Sequence, residues 1–185
     1  GFGQEKFDVT AVEKFQKDLN SEYADAKTSP LTADDLAKFK SLDFYPINEK
    51  AFVVAQFIRT ENEKPFEMPT STARKPMYVK YGEAHFQLEG KELKLNIYRN
   101  IELSKKQEYK DYLFLPFSDL TSGKESYIGG KYIDLKIPSG DTIAIDFNLS
   151  YNPYCAYNHK FSCPKVPQEN DLAIEIKAGV KKFHD

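Results

Sequence analysis

The chain has 185 residues, a formal net charge of -2, and 41% hydrophobic and 29% charged residues. That composition is globular, and the length can bury a core without staples. The small negative charge argues against a general nucleic-acid or anionic-membrane surface, and no apolar run approaches the roughly 20 residues of a membrane helix. The 12 Tyr and 14 Phe, with no Trp, favour strands and half-buried faces.

A single domain over 1–185 is expected, with a helical segment at 8–46 and a β domain at 51–180. The chain begins at Gly1 without an initiator Met. A trimmed start is therefore expected, with a signal peptide removed and export to the periplasm, and a cytoplasmic location as the alternative. Two cysteines fit either compartment.

The first helix is read from Thr10-Ala-Val-Glu13, a capping box, followed by a stripe of Val12, Phe15, Leu19 and Tyr23 at spacings of three and four. A second helix starts at Thr32, with Leu31 and Leu36 placed as a hydrophobic staple, and is ended by Asp43–Pro46. From Ala51 the period becomes two. Phe52–Ile58 reads as a strand, 60–75 as a loop, and Met77–Lys80 as a strand. Ala84, Phe86 and Leu88 then alternate, as do Leu93, Leu95 and Ile97. A turn at Gly90-Lys91 would pair Leu88 with Leu93 and Phe86 with Leu95.

Tyr112–Phe117 reads as a buried strand. Tyr132–Ile137 and Thr142–Phe147 alternate around Ser139-Gly140-Asp141, which predicts a second hairpin with Ile137 opposite Ile143 and Leu135 opposite Ile145. Leu172, Ile174 and Ile176 predict a last strand. The expected fold is mainly β: seven to nine antiparallel strands in a sandwich or partly closed barrel, with two N-terminal helices packed against it.

Three constellations carry candidate chemistry. Cys155, His159 and Cys163 have ligand types that suit zinc, but the spacing lacks the tight Cys-x2–4-Cys knuckle and the fourth ligand of such sites. A disulfide, two buried free thiols, or a Cys155 nucleophile beside His159 are the other readings. In the second, Asp119, Thr121, Ser122 and Gly123 form a polar turn, and Gly129-Gly130 precedes a strand; this is either a pocket rim or two well-formed turns. In the third, Asp146, Asn148, Asn152, Glu169 and Asn170 can supply a base or a polar contact, or can brace backbone in turns. Pro153, Pro164 and Pro167 stiffen that segment.

These residues resemble a bacterial and archaeal family known as domain of unknown function 1684. The resemblance rests on Asp146-Phe147-Asn148, Tyr151-Asn152-Pro153, Cys155-Ala156-Tyr157, Cys163-Pro164, Pro167, Glu169-Asn170 and Ala178-Gly179. Upstream it rests on Phe114–Phe117, Asp119, Thr121, Gly123, Tyr127 and Gly129-Gly130, with Ser29-Pro30-Leu31, Phe39 and Leu42–Pro46 near the start. The sequence departs from the pattern at Ile128 for glycine, Lys131 for arginine and Val180 for glutamate. Lysine lacks the planar fork of arginine, so a bidentate anion contact at Lys131 is not expected. The resemblance implies a location for function, the 119–132 and 146–170 segments, and no activity.

The expected function is small-molecule binding in a polar and aromatic pocket. Its residues are Asp119, Thr121, Tyr127, Lys131, Asp146, Asn148, Tyr151, Asn152, Tyr157, Glu169 and Asn170. The alternatives are a hydrolase-like enzyme using Asp146, Glu169 or Cys155, and a structural or protein-interaction module. No metal or other cofactor is expected, and a small-molecule ligand is the expected partner.

Overall fold

The computed structural model describes residues 6–185, so the start at Gly1 lies outside the described residues. The first helix, α1, runs Val9–Ala24 and buries Val12 and Tyr23. Its cap is Asp8, whose side chain accepts from Ala11 N at 3.2 Å, not Thr10, which lies inside the first turn. The carboxylate of Asp8 satisfies an N–H that no preceding turn can reach. Helix α2, Ala33–Lys38, starts as predicted, with Thr32 accepting from Asp35 N at 3.2 Å. It ends at Phe39, which is already extended, well before Pro46.

The sheet strands are β1 (Phe52–Arg59), β2 (Phe66–Glu67), β3 (Met77–Leu88) and β4 (Lys91–Asn100). A one-turn helix, α3 (Ile101–Ser104), leads on to β5 (Tyr112–Phe117), β6 (Lys131–Lys136) and β7 (Thr142–Asp146). They form one antiparallel sheet in the order β6-β5-β4-β3-β1-β7, with β2 on β3, curled into a half-barrel.

The β3–β4 hairpin forms, but two residues out of the predicted register: Leu88 faces Lys91, Phe86 faces Leu93 and Ala84 faces Leu95. Its turn is Glu89-Gly90, both at positive φ (52° and 76°). That is the mirror-image turn that matches strand twist. A shift of two keeps parity, so the apolar residues still share the core face.

The predicted β6–β7 hairpin does not form. β6 pairs with β5 and β7 with β1, so the two strands are opposite edges of the sheet. Alternation tells which face of a strand is apolar, not which strand lies beside it. Residues 172–176 do not form a ladder strand, and the chain bends at Ala173 and Ile174. Leu172 N donates to Ser118 O and Leu120 N to Ile174 O, both at 2.8 Å, while Leu172, Ile174 and Ile176 enter the core.

The main core lies inside the curl, with Val53, Phe57, Phe86, Leu95, Leu115, Ile133, Ile145 and Phe147 among its members. A second cluster joins the helices to the C-terminal loops through Tyr23, Leu31, Leu42, Ala156, Tyr157 and Val180. A third covers part of the opposite sheet face through Met68, Tyr78, Tyr98, Phe114 and Tyr132. With both faces of β5 covered, Tyr112–Phe117 reads as a continuous apolar run rather than an alternating one.

Candidate functional site

The 119–132 and 146–170 segments meet. Tyr132 and Tyr151 exchange backbone hydrogen bonds at 2.9 and 3.0 Å. Where the segments face each other they leave a groove of about 350 Å³. One wall is Tyr127, Ile128 and Gly129, and the other is Pro153, Cys155, Cys163, Pro164, Lys165 and Val166, with Ser71 and Ser118 contributing hydroxyls. Ile128 stands 77% exposed at this site, the most exposed large apolar side chain of the described residues. A second, larger concavity of about 450 Å³ lies along the β3–β4 tip and is lined by Gln56, His85, Gln87, Glu92 and Lys94 among others. It contains no residue of the two segments.

Most of the predicted polar residues brace backbone. Asp119 is buried and accepts from Thr121 Oγ1 at 3.0 Å and from the N–H of Ile176, joining the 119–126 turn to the C-terminal segment. Thr121 Oγ1 also meets Ser126 Oγ at 2.8 Å. Asp146 caps the 147–149 turn, accepting from Asn148 N at 2.9 Å, and burial raises its carboxyl above the usual range.

Asn148 holds the backbone of Asn48 in both directions, Oδ1 accepting at 3.0 Å and Nδ2 donating at 2.8 Å. Asn152 donates to Lys181 O at 3.1 Å and to Tyr157 Oη at 3.2 Å. Asn170 spans β4 and β5, donating to Asn96 O and Pro116 O, both at 2.8 Å. Glu169, next to it, is exposed.

The aromatic residues divide as well. Tyr151 Oη donates to Asp134 Oδ1 at 2.6 Å, and burial raises its phenol above the usual range. Tyr157 packs edge-on to Tyr23 in the second cluster, with ring centroids 5.1 Å apart. Only Tyr127 of the predicted set lines the groove. Its ring lies where a β-carbon on Gly129 would sit, 2.4 Å from Cε2, so a side chain at 129 would displace it.

Lys131 is fully buried at the start of β6. Its Nζ donates to Ala178 O at 3.0 Å and lies 5.3 and 5.9 Å from the ring centres of Tyr45 and Phe117. Burial lowers its pKa to about 8, against an opposing pull from the Asp119 carboxylate. The amine thus joins β6 to the C-terminal segment and does not reach the groove wall.

Cys155 and Cys163 form a disulfide. Their sulfurs are occupied with each other, which argues against zinc, and His159 lies exposed in the intervening turn. No group of His, Cys, Asp and Glu able to hold a metal occurs among the described residues. No helix among them is long and apolar enough to cross a membrane. The disulfide points to an oxidising environment.

Several groove residues carry no signal in the sequence: Ser71 lies in what reads as a polar loop, and Ser118 follows a strand. Ile128 carries one signal only, its departure from the family pattern, which usually has glycine there.

No curated protein matches the chain. Among solved structures, the solution NMR structure of the uncharacterized protein from gene locus rrnAC0354 of Haloarcula marismortui is similar. It is 29% identical with a TM-score of 0.73, over 94% of this chain and 93% of that one. Its half-barrel is thus shared across nearly the whole length of both. Residues 37–181 match the family described as Protein of unknown function (DUF1684), a span that holds the sheet, the disulfide and both walls of the groove, and the chain belongs to that family.

Proposed function

We propose that this protein is a binding protein whose small, largely apolar ligand seats in the groove between the Tyr127–Gly129 turn and the disulfide loop. The observation that carries the reading is the exposure of Ile128, 77%, where the two segments meet around an open groove. A β-branched side chain left in water beside an apolar wall of prolines, valine and a disulfide gains free energy when a ligand covers it.

The surrounding side chains fit binding better than turnover. Asp119, Asp146, Asn148 and Asn170 are engaged with backbone, and Cys155 is held in a disulfide. Their role in the proposal is to fix the two walls, so that little ordering remains when a ligand binds. Ser71 and Ser118 also line the groove, with their hydroxyls bonded to Phe161 O and Asp171 Oδ1, so they brace it in the same way.

The test is a fragment screen followed by amide chemical shifts. Hits are expected to move the signals of Tyr127, Ile128, Gly129 and Val166 together. A screen whose hits cluster elsewhere, or nowhere, overturns the proposal.

A further inference from the structure

The outer wall of the groove is held by two kinds of tie. On one side it docks on the 69–74 loop. Ser71 N donates to Cys163 O and Lys165 N to Pro69 O, both at 2.9 Å, and Thr70 and Pro164 form an isolated bridge. Arg74 Nε adds a bond to Ser162 Oγ at 3.1 Å. Much of this contact is open to solvent, where water competes and each bond contributes little.

On the other side the tie is covalent. Cys163 is joined to Cys155, which sits in the 154–156 turn. Ala156 and Tyr157, which follow, are buried in the second cluster. Beyond Tyr157 the chain turns with His159 and Lys160 exposed, and Phe161 returns half-buried against the Tyr154 ring, centroids 5.0 Å apart. The disulfide is therefore the covalent tie between the 158–166 part of this wall and its well-packed 153–157 part.

The disulfide itself lines the groove. Cys155 N donates to Cys163 Sγ at 3.2 Å, while Cys155 Sγ lies 3.2 Å from the Ser71 hydroxyl and 2.9 Å from Phe161 O. The N–H aimed at Cys163 Sγ stabilises a thiolate there, which makes Cys155 Sγ the sulfur attacked and Cys163 the one expelled.

We infer that Cys155–Cys163 is a redox latch on the groove, opened by a dithiol reductant. One reductant thiolate attacks one sulfur, forming a mixed disulfide and expelling the other sulfur as a thiolate. The second reductant thiol resolves the mixed disulfide. Two electrons pass to the protein, its two sulfurs take up the two protons the dithiol gives up, and the reductant leaves as its own disulfide. The 158–166 segment then keeps its docking on the 69–74 loop, the Tyr132 hydroxyl donated to Pro164 O and the contact of Phe161 with the Tyr154 ring, but loses its covalent tie, while 154–157 stays in the second cluster. The consequence for a ligand rests on the proposed binding function. The latch itself is read on the free protein, so either can fail without the other.

The experiment is amide hydrogen exchange on the oxidised protein, on the protein treated with dithiothreitol, and on a Cys155→Ser, Cys163→Ser double variant. Exchange at Ser71 and Lys165 is expected to quicken by roughly 10- to 100-fold on reduction, with the β3–β4 amides unchanged. The double variant is expected to reproduce the reduced pattern. Survival of the disulfide in dithiothreitol, equal rates in both redox states, or oxidised-like rates in the double variant overturns the latch. A uniform acceleration that includes β3–β4 also overturns it, because the disulfide would then be a global staple.

Discussion

The side-chain amide of Asn170 is hydrogen-bonded to the backbone of Asn96 in both directions, Oδ1 accepting from its N–H at 2.9 Å and Nδ2 donating to its carbonyl at 2.8 Å. β4 and β5 pair only at Tyr98 and Phe114, and the Asn170 amide joins them again by also donating to Pro116 O. It does for two strands what a neighbouring peptide group would do. Asn148 holds Asn48 by the same two-way contact, at the entry to β1.

Replacing Asn170 with Ala strips three hydrogen bonds from a fully buried position. Backbone groups of Asn96 and Pro116 are then left unpaired, at about 1–3 kcal/mol each before relaxation. A loss of about 3 kcal/mol in urea unfolding is expected. A loss below about 1 kcal/mol would mean that β4 and β5 do not depend on this contact.

Lys131 predicts an unusual alkaline limb. Its folded pKa, about 8, lies below its ordinary 10.5. Between those values the unfolded chain binds more protons, so stability rises with pH there. Buried phenols such as Tyr132 and Tyr157 have raised pKa values and act oppositely above about pH 10. Urea midpoints of the wild type should therefore climb from about pH 8 to pH 10, while those of Lys131→Met should stay flat and start higher. Parallel profiles for the two proteins would contradict a charge buried in this cage.

Glu83 predicts the acid limb. Hydrogen bonds from Lys80 and then His85 hold its carboxyl down at about 2, below its ordinary 4.5. That stabilisation is complete above the unfolded value and is lost as pH falls toward 2. The gap in stability between wild type and Glu83→Gln should close between pH 5 and pH 2.5. A gap that stays constant would show that the ionised carboxylate contributes nothing.

Gly130 and Gly140 make a matched pair. Gly130 has φ +86°, and a β-carbon there would lie 2.5 Å from Phe117 O and 2.7 Å from Val166 Cγ2. Gly140 has open space around it. Gly130→Ala should cost about 2 kcal/mol or more and shift the Val166 signals, from strain and from the displaced wall. Gly140→Ala should stay within about 0.5 kcal/mol of the wild type. Equal effects in thermal unfolding would refute this account of the turn.

The half-barrel was largely legible because its strands alternate and its turns use glycine. Thr32 announced α2 by the ordinary capping rule, and Leu31 with Leu36 marked the helix face that packs. The partner of each strand was not legible. Leu135 and Ile145 face the core from opposite sheet edges, and the same alternation would have served a hairpin. The Glu89-Gly90 turn was missed by one position because a glutamate at positive φ leaves no mark in sequence.

At the candidate site the two segments that meet were legible, and the backbone contacts of their polar side chains were not. Asn148 and Asn170 carry the side chains of a polar pocket, but an amide can match a peptide group as readily as a ligand. Only the paths of β4, β5 and the 48–52 segment show which. Conversely, Ile128 stood out only as a departure from the family pattern, and the structure places it at the groove.

The most direct measurement is an NMR titration of the strongest-binding fragment into wild type and Ile128→Ser. At 77% exposure the side chain contributes little to folding, so the substitution isolates the groove. The proposed function predicts affinity at least about tenfold weaker in the variant, a loss of about 1.4 kcal/mol, with the fragment's shifts in wild type centred on Tyr127–Gly129. Equal affinity in the two proteins would contradict it.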